Sequence, residues 1–173
     1  MKTAQRGMLV STLLAGAFAG MLGGCESYKN YDITVRYEGA ADSAKSFPTR
    51  TISLAGFRGV AADHPIAKAV PSQWFNDADA RSKAKAHDIT LSNATREVTL
   101  KKDDAAWKAW NEGKHASYVW VIANLPGQPD QVKRLLPLNA KCWEGNSIII
   151  NVKSDGIAID DKTKQLLADN PPE

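Results

Sequence analysis

The chain has 173 residues, 43 % of them apolar, with 22 Lys and Arg against 19 Asp and Glu. That length suits one domain with a real core, and with no Lys/Arg cluster longer than a pair nothing argues for nucleic acid. The formal charge of +3 belongs partly to the start of the chain: residues 1–24 hold Lys2 and Arg6 and no acid, so the remainder carries 20 basic residues against 19 acidic ones.

The first element is "MLVSTLLAGAFAGML", Met8 to Leu22, which has no charged side chain. A helix rising about 1.5 Å per residue needs roughly 20 apolar residues to cross a bilayer core, and this run is shorter. A basic start, a short apolar run and a small-residue exit describe a secretory signal. The exit reads Leu22-Gly23-Gly24-Cys25, which resembles the lipobox of bacterial lipoproteins. The resemblance implies cleavage between Gly24 and Cys25, a diacylglycerol on the Cys25 sulfur and a third acyl chain on the new amine. The residue types suit that chemistry. A thiol gives a stable thioether, the two glycines let a peptidase approach the backbone, and Leu22 fills an apolar subsite. The alternatives are an ordinary signal peptide with a chance cysteine, or a short membrane anchor. In enterobacterial lipoproteins Asp after the cysteine marks inner-membrane retention, so Glu26 points by resemblance to the outer membrane, facing the periplasm. Cys142 is then alone in an oxidising compartment, with no disulfide partner. It reads as a buried, inert thiol.

Residues 25–30 are expected to be a lipidated polar tether, 31–161 the folded domain, and 162–173 a frayed tail. "YDITVRYE", Tyr31 to Glu38, alternates apolar and polar and predicts a half-buried strand. "GAADSAKSFP" is a loop. "TRTISLAGF" alternates around Ile52 and Leu54. Ser72, after Pro71, is placed to cap one helix running to Ala86. Ile89 and Leu91, then Val98 and Leu100, alternate on either side of a turn at "SNAT". Asp103 or Asp104 caps a second helix, "AAWKAWNEG", with Trp107 and Trp110 on one face and Gly113 at its end. "SYVWVIANL" is an unbroken apolar run and predicts a central strand buried on both faces. "KRLLPLN" fits a short edge strand, where Pro137 is tolerated. "SIIINVK" and "GIAID" read as a hairpin across Ser154-Asp155-Gly156. These short strands, about seven with two inserted helices, predict a mainly β fold: an antiparallel two-sheet β-sandwich.

No catalytic or metal constellation is visible, and no cofactor is implied. His64, His87 and His115 have no recognised ligand spacing. "NDADAR" lacks the glycine and closing glutamate of a calcium loop, and Asp77 and Arg81 at i,i+4 read as a surface pair. Asp155 is explained by its turn, and Asp160 and Asp161 by solvation. No G-x-S-x-G is present. The five tryptophans admit two readings: core packing, or a surface that stacks on sugars.

The lipobox "LGGC", the opening strand "ITVRYEG", the late strand "YVWVIANLPG" and the closing "SIIINVKSDGIAI" are similar, in order, to the small outer-membrane lipoprotein of the type VI secretion system. That resemblance implies a two-sheet sandwich with added helical segments. It also implies binding to the periplasmic end of a large inner-membrane protein, and a non-enzymatic part in building an envelope-spanning complex. The loop after the first strand is implicated in partner binding in that family. The matching stretch is Gly39–Pro48, with Phe47 its large apolar side chain and Asp42 and Lys45 its charges. The alternative function is a lipid-anchored carbohydrate- or small-ligand-binding module, which requires two or more tryptophans along one exposed groove. A lipoprotein enzyme is a third reading and requires a polar pocket.

Overall fold

Period-two alternation makes the strands, and the computed structural model shows where each of them lies; it describes residues 27–38, 48–126 and 129–160. In chain order the strands are β1 Asp32–Tyr37, β2 Arg50–Phe57, β3 His87–Leu91, β4 Glu97–Leu100, β5 Tyr118–Ala123, β6 Lys133–Pro137, β7 Ser147–Val152 and β8 Ile157–Ile159. Five short helices intervene: α1 Pro65–Lys68, α2 Pro71–Asn76, α3 Ala78–Lys83, α4 Ala105–Trp110 and α5 Pro129–Val132. One sheet has the order β4-β1-β7-β8 and the other β3-β2-β5-β6. Among the described residues the strands therefore number eight rather than about seven, and each lies on one of the segments expected to be a strand.

Ile33 and Val35 from β1 and Ile148 and Ile150 from β7 face Ile52 and Leu54 from β2 and Val119 and Val121 from β5, all fully buried in one core. Each such side chain contributes about 1.5–3 kcal/mol on burial. The expected two-sheet sandwich is what forms, with one departure from an antiparallel plan. β1 and β7 pair in parallel, Ile33 opposite Ile148 and Val35 opposite Ile150. A parallel pair needs a long crossover, and here the whole of β2 to β6 supplies it. "SNAT" does not close a hairpin either. It carries the chain from β3 in one sheet to β4 in the other, with the Thr95 N–H donating to the Ser92 carbonyl and hydroxyl, both at 3.2 Å.

β5 is buried on both faces, as its composition predicts. Ala55 and Ile122 point away from the main core into a second cluster with Ile66 of α1 and Trp74 of α2. The single helix expected from Ser72 to Ala86 is two pieces. Asp77 leaves helical geometry (φ −101°, ψ 89°) and its carboxylate caps α3 by accepting the Ala80 N–H at 2.8 Å. This occupation also undoes the expected Asp77–Arg81 pair. Arg81 instead meets Asp88 of β3 at 2.7 Å. α4 forms as predicted, with Asp104 accepting the Ala106 N–H at 2.9 Å, and buries Trp107 and Trp110 edge to face at 5.0 Å. The β7–β8 hairpin is present, and β6 lies at the sheet edge.

Candidate functional site

The expected functional residues Gly24, Cys25, Asp42, Lys45 and Phe47 lie outside the described residues. The chain positions from which their segments depart are nevertheless fixed. One segment leaves at Ser27, just before β1, and the other spans Glu38 to Pro48, just after it. β1, which lies between them, has six residues and is about 20 Å long at roughly 3.3 Å per residue.

Around the beginning of β1, the chain from Ser27 is tied to the fold rather than hanging as a tether. Ala140 N–H donates to the Ser27 carbonyl at 2.8 Å and Lys29 N–H to Leu138 at 3.3 Å, and Tyr28 bridges Asn139. The Lys29 amine donates to the Gly145 carbonyl at 2.7 Å and to Asn146 Oδ1 at 3.0 Å. Asp32 accepts the Lys102 N–H at 2.8 Å and sits 3.6 Å from the Lys101 amine. That backbone hydrogen bond, with the neighbouring lysine charges, lowers its pKa. Beside this end opens a cleft of about 490 Å³, lined by Ser27, Tyr28, Arg58, Lys114 and His115.

The far end of β1 gathers the loops that join the two sheets. Glu38 N–H donates to Val152 and Tyr37 N–H to Arg96, each at 2.8 Å. The β7–β8 turn packs there too, with Gly156 so close that a Cβ would lie 3.0 Å from the Gln131 carbonyl. β1 belongs to one sheet and β2 to the other, so the chain changes sheet between Glu38 and Pro48. Arg36 donates to Asn151 Oδ1 at 2.7 Å and forms an ion pair with Asp160. Asp160 is therefore a partner of Arg36, not simply a solvated side chain.

The interior offers little for the competing readings. Trp74, Trp107, Trp110 and Trp143 are buried, and half-buried Trp120 donates its indole N–H to the Ala61 carbonyl at 3.1 Å. The exposed tryptophan groove that sugar stacking requires is absent among the described residues. His64 is a structural residue: its Nδ1 accepts the Ile66 N–H at 3.2 Å, its ring lies 4.6 Å from Phe57, and burial lowers its pKa. Cys142 is buried, and that burial pushes its thiol pKa up, the direction of an unreactive thiol. Tyr31, fully buried, has its pKa raised to about 12 by burial and by the charge of a Cys142 thiolate. Among the described residues no three His, Cys, Asp or Glu side chains are grouped to hold a metal ion, and no helix is long and apolar enough to cross a membrane. A second open cleft, about 520 Å³ at the α2–α3 junction, is lined by Gln73, Asn76, Asp77, Ala78 and Asp79, and its Asp77 is committed to capping. Sequence reasoning missed the cleft beside Ser27, because Arg58 and the Lys114–His115 pair are far apart in the chain and form no basic run.

No family model matches the chain, and no curated protein matches it. Among solved structures it is similar to Serratia marcescens Lip, a membrane bound component of the type VI secretion system. The TM-score is 0.50 at 17 % identity, over 80 % of this chain and 100 % of that one. It also resembles a structure of the type VI secretion protein TssM C-terminal domain from EAEC (TM-score 0.48, 12 % identity, 75 % of this chain and 98 % of that one). A type VI membrane complex gives a TM-score of 0.49 at 13 % identity, over 77 % of this chain and 98 % of that one. At such identities the likeness is one of fold.

Proposed function

We propose that this chain is an outer-membrane-anchored lipoprotein facing the periplasm, and a non-enzymatic assembly component of an envelope-spanning secretion complex of the type VI kind. The observation that carries this reading is the opposition of the two departing segments. Ser27, two residues from Cys25, precedes β1, and Glu38 leaves its other end toward the stretch that leads to β2; β1 itself is about 20 Å long. Acyl chains at the first end hold the body on the membrane. A single chain holds only marginally, at about 0.8 kcal/mol per buried CH₂, and several hold stably. The second end then faces away from that membrane, toward a partner arriving from the inner one. There Phe47 is the apolar anchor of the contact and Asp42 and Lys45 are its charged rim, an arrangement in which one buried aromatic carries most of the binding energy. The fold shared with Lip, itself a membrane bound component of a type VI system, supports the same assignment. No metal, cofactor or nucleic acid enters into it.

The test is isolation of the full-length tagged protein from the membranes of its native host. Mass spectrometry is expected to find Cys25 at the mature N-terminus carrying acyl chains, and the periplasmic domain of an inner-membrane protein is expected to co-purify. An unacylated start, or a Cys25→Ser chain that remains in the envelope unchanged, overturns the reading.

A further inference from the structure

The cleft beside Ser27 has a chemical character that the anchoring role does not by itself require. Arg58, Lys114 and His115 all line it, all are exposed, and none has a hydrogen bond or ion pair among the described residues. The nearby acid Glu112 is engaged elsewhere, by Lys85. Gly59, at φ +119° with open space around it, turns the chain immediately after Arg58. The next residue, Val60, is one of two large apolar side chains left exposed among the described residues, at 66 %. Unpaired cations beside an exposed aliphatic residue are the composition of a surface that meets lipid headgroups.

The chain path places this surface. Ser27 forms one wall of the cleft, and two residues at roughly 3.3–3.6 Å each span at most about 7 Å back to Cys25. The cleft is thus held close to the membrane that carries the acyl chains, where the charge of anionic headgroups is felt within about a Debye length, about 8 Å at physiological ionic strength. We propose that this cleft receives the phosphate headgroup of an anionic phospholipid in the membrane that holds the acyl chains. Arg58 and Lys114 contact the phosphate oxygens, and Val60 meets the boundary between headgroups and hydrocarbon. The contact fixes the body's orientation, so that the acyl group is a point of attachment and the cleft a second one that stops the domain from swivelling. The proposal rests on the anchored reading above.

The experiment uses the acylated mature chain in nanodiscs of phosphatidylcholine, with or without phosphatidylglycerol, and follows lysine acetylation by mass spectrometry. Lys114 is expected to react about fivefold more slowly in the anionic discs, the size of effect that one cation near such a surface supports, and high salt removes the difference. Lys153, at the other end of the core, reacts equally in both. Arg58→Gln, a change at an exposed and unpaired side chain, restores the Lys114 rate. Equal Lys114 rates in the two discs overturn the proposal. So does full protection by inorganic phosphate in discs of phosphatidylcholine alone, which makes the cleft a site for free phosphate. An intact mass without acyl chains sinks the anchored reading, whereas protection of Lys114 by the anionic lipid in such a chain leaves the cleft assignment standing.

Discussion

The indole of Trp110 lies directly over the Cα of Gly56, so that a Cβ at residue 56 would sit 2.5 Å from indole Cδ2 and 2.6 Å from Cγ. Cγ is the root of the ring and cannot swing aside. The ring is further held by its N–H, which donates to the Lys85 carbonyl at 2.8 Å, and by Trp107 against its face. Gly56→Ala is therefore expected to destabilise the fold by about 1–3 kcal/mol through overpacking, outweighing the roughly 0.4–1 kcal/mol that Ala gains by restricting the unfolded chain. Urea unfolding followed by tryptophan fluorescence checks this. The midpoint should fall while the slope stays that of wild type, and an unchanged midpoint would refute the close approach.

Asp32 supports the start of β1 through the Lys102 N–H and Lys101. Its pKa is lower in the folded chain than its ordinary 3.8. A depressed carboxylate stabilises the fold above its unfolded pKa and loses that contribution as pH falls through the folded one. Stability should therefore decline on acidification below about pH 4, and Asp32→Asn should make that decline shallower while lowering stability at pH 7. Thermal unfolding at a series of pH values separates the two, and parallel profiles for wild type and variant would contradict the assignment.

Tyr31 works in the opposite pH range. Its folded pKa of about 12 lies above its ordinary 10.0. Between those values the folded chain keeps a proton that the unfolded chain has lost, so stability falls as pH rises through that window. An ultraviolet titration of the four tyrosines should show one that ionises late, and Tyr31→Phe should remove that late step. A titration with no late-ionising tyrosine would mean that Tyr31 is not shielded.

On the proposed reading, Phe47→Ala is expected to weaken capture of the inner-membrane partner by about 2 kcal/mol, roughly thirtyfold, as truncation of an interface anchor does. Asp42→Ala or Lys45→Ala, at the rim, should cost less. The unfolding free energy of each variant, from urea titration, should stay within about 0.5 kcal/mol of wild type. Partner binding that survives Phe47→Ala unchanged would move the interface off this loop.

The strands were legible because each carries its own alternation. Ile33 and Val35, or Ile52 and Leu54, mark a buried face within a few residues, and the unbroken run of β5 marked burial on both faces. The direction of β7 beside β1 was not legible, since no turn residue links two strands so distant in the chain. The break at Asp77 was hidden for a different reason. Asp suits both a helix surface and a helix cap, and only the packing of Trp74 beneath α2 decides between them. The cleft was invisible because Arg58 and Lys114 meet only after β2 and β5 have paired, Phe57 opposite Tyr118.

The parallel pairing of β1 with β7 also dictates an order of events. β1 is the first of the described strands to be made, yet it takes an inner place in its sheet, between β4 and β7. Arg36 meets Asn151 across 115 residues of chain, a separation that slows folding. Until β7 has been made, one flank of β1 has no strand to pair with. A chain truncated ahead of Ser147 would thus leave one flank of β1 as an open edge, a ready template for pairing with another chain.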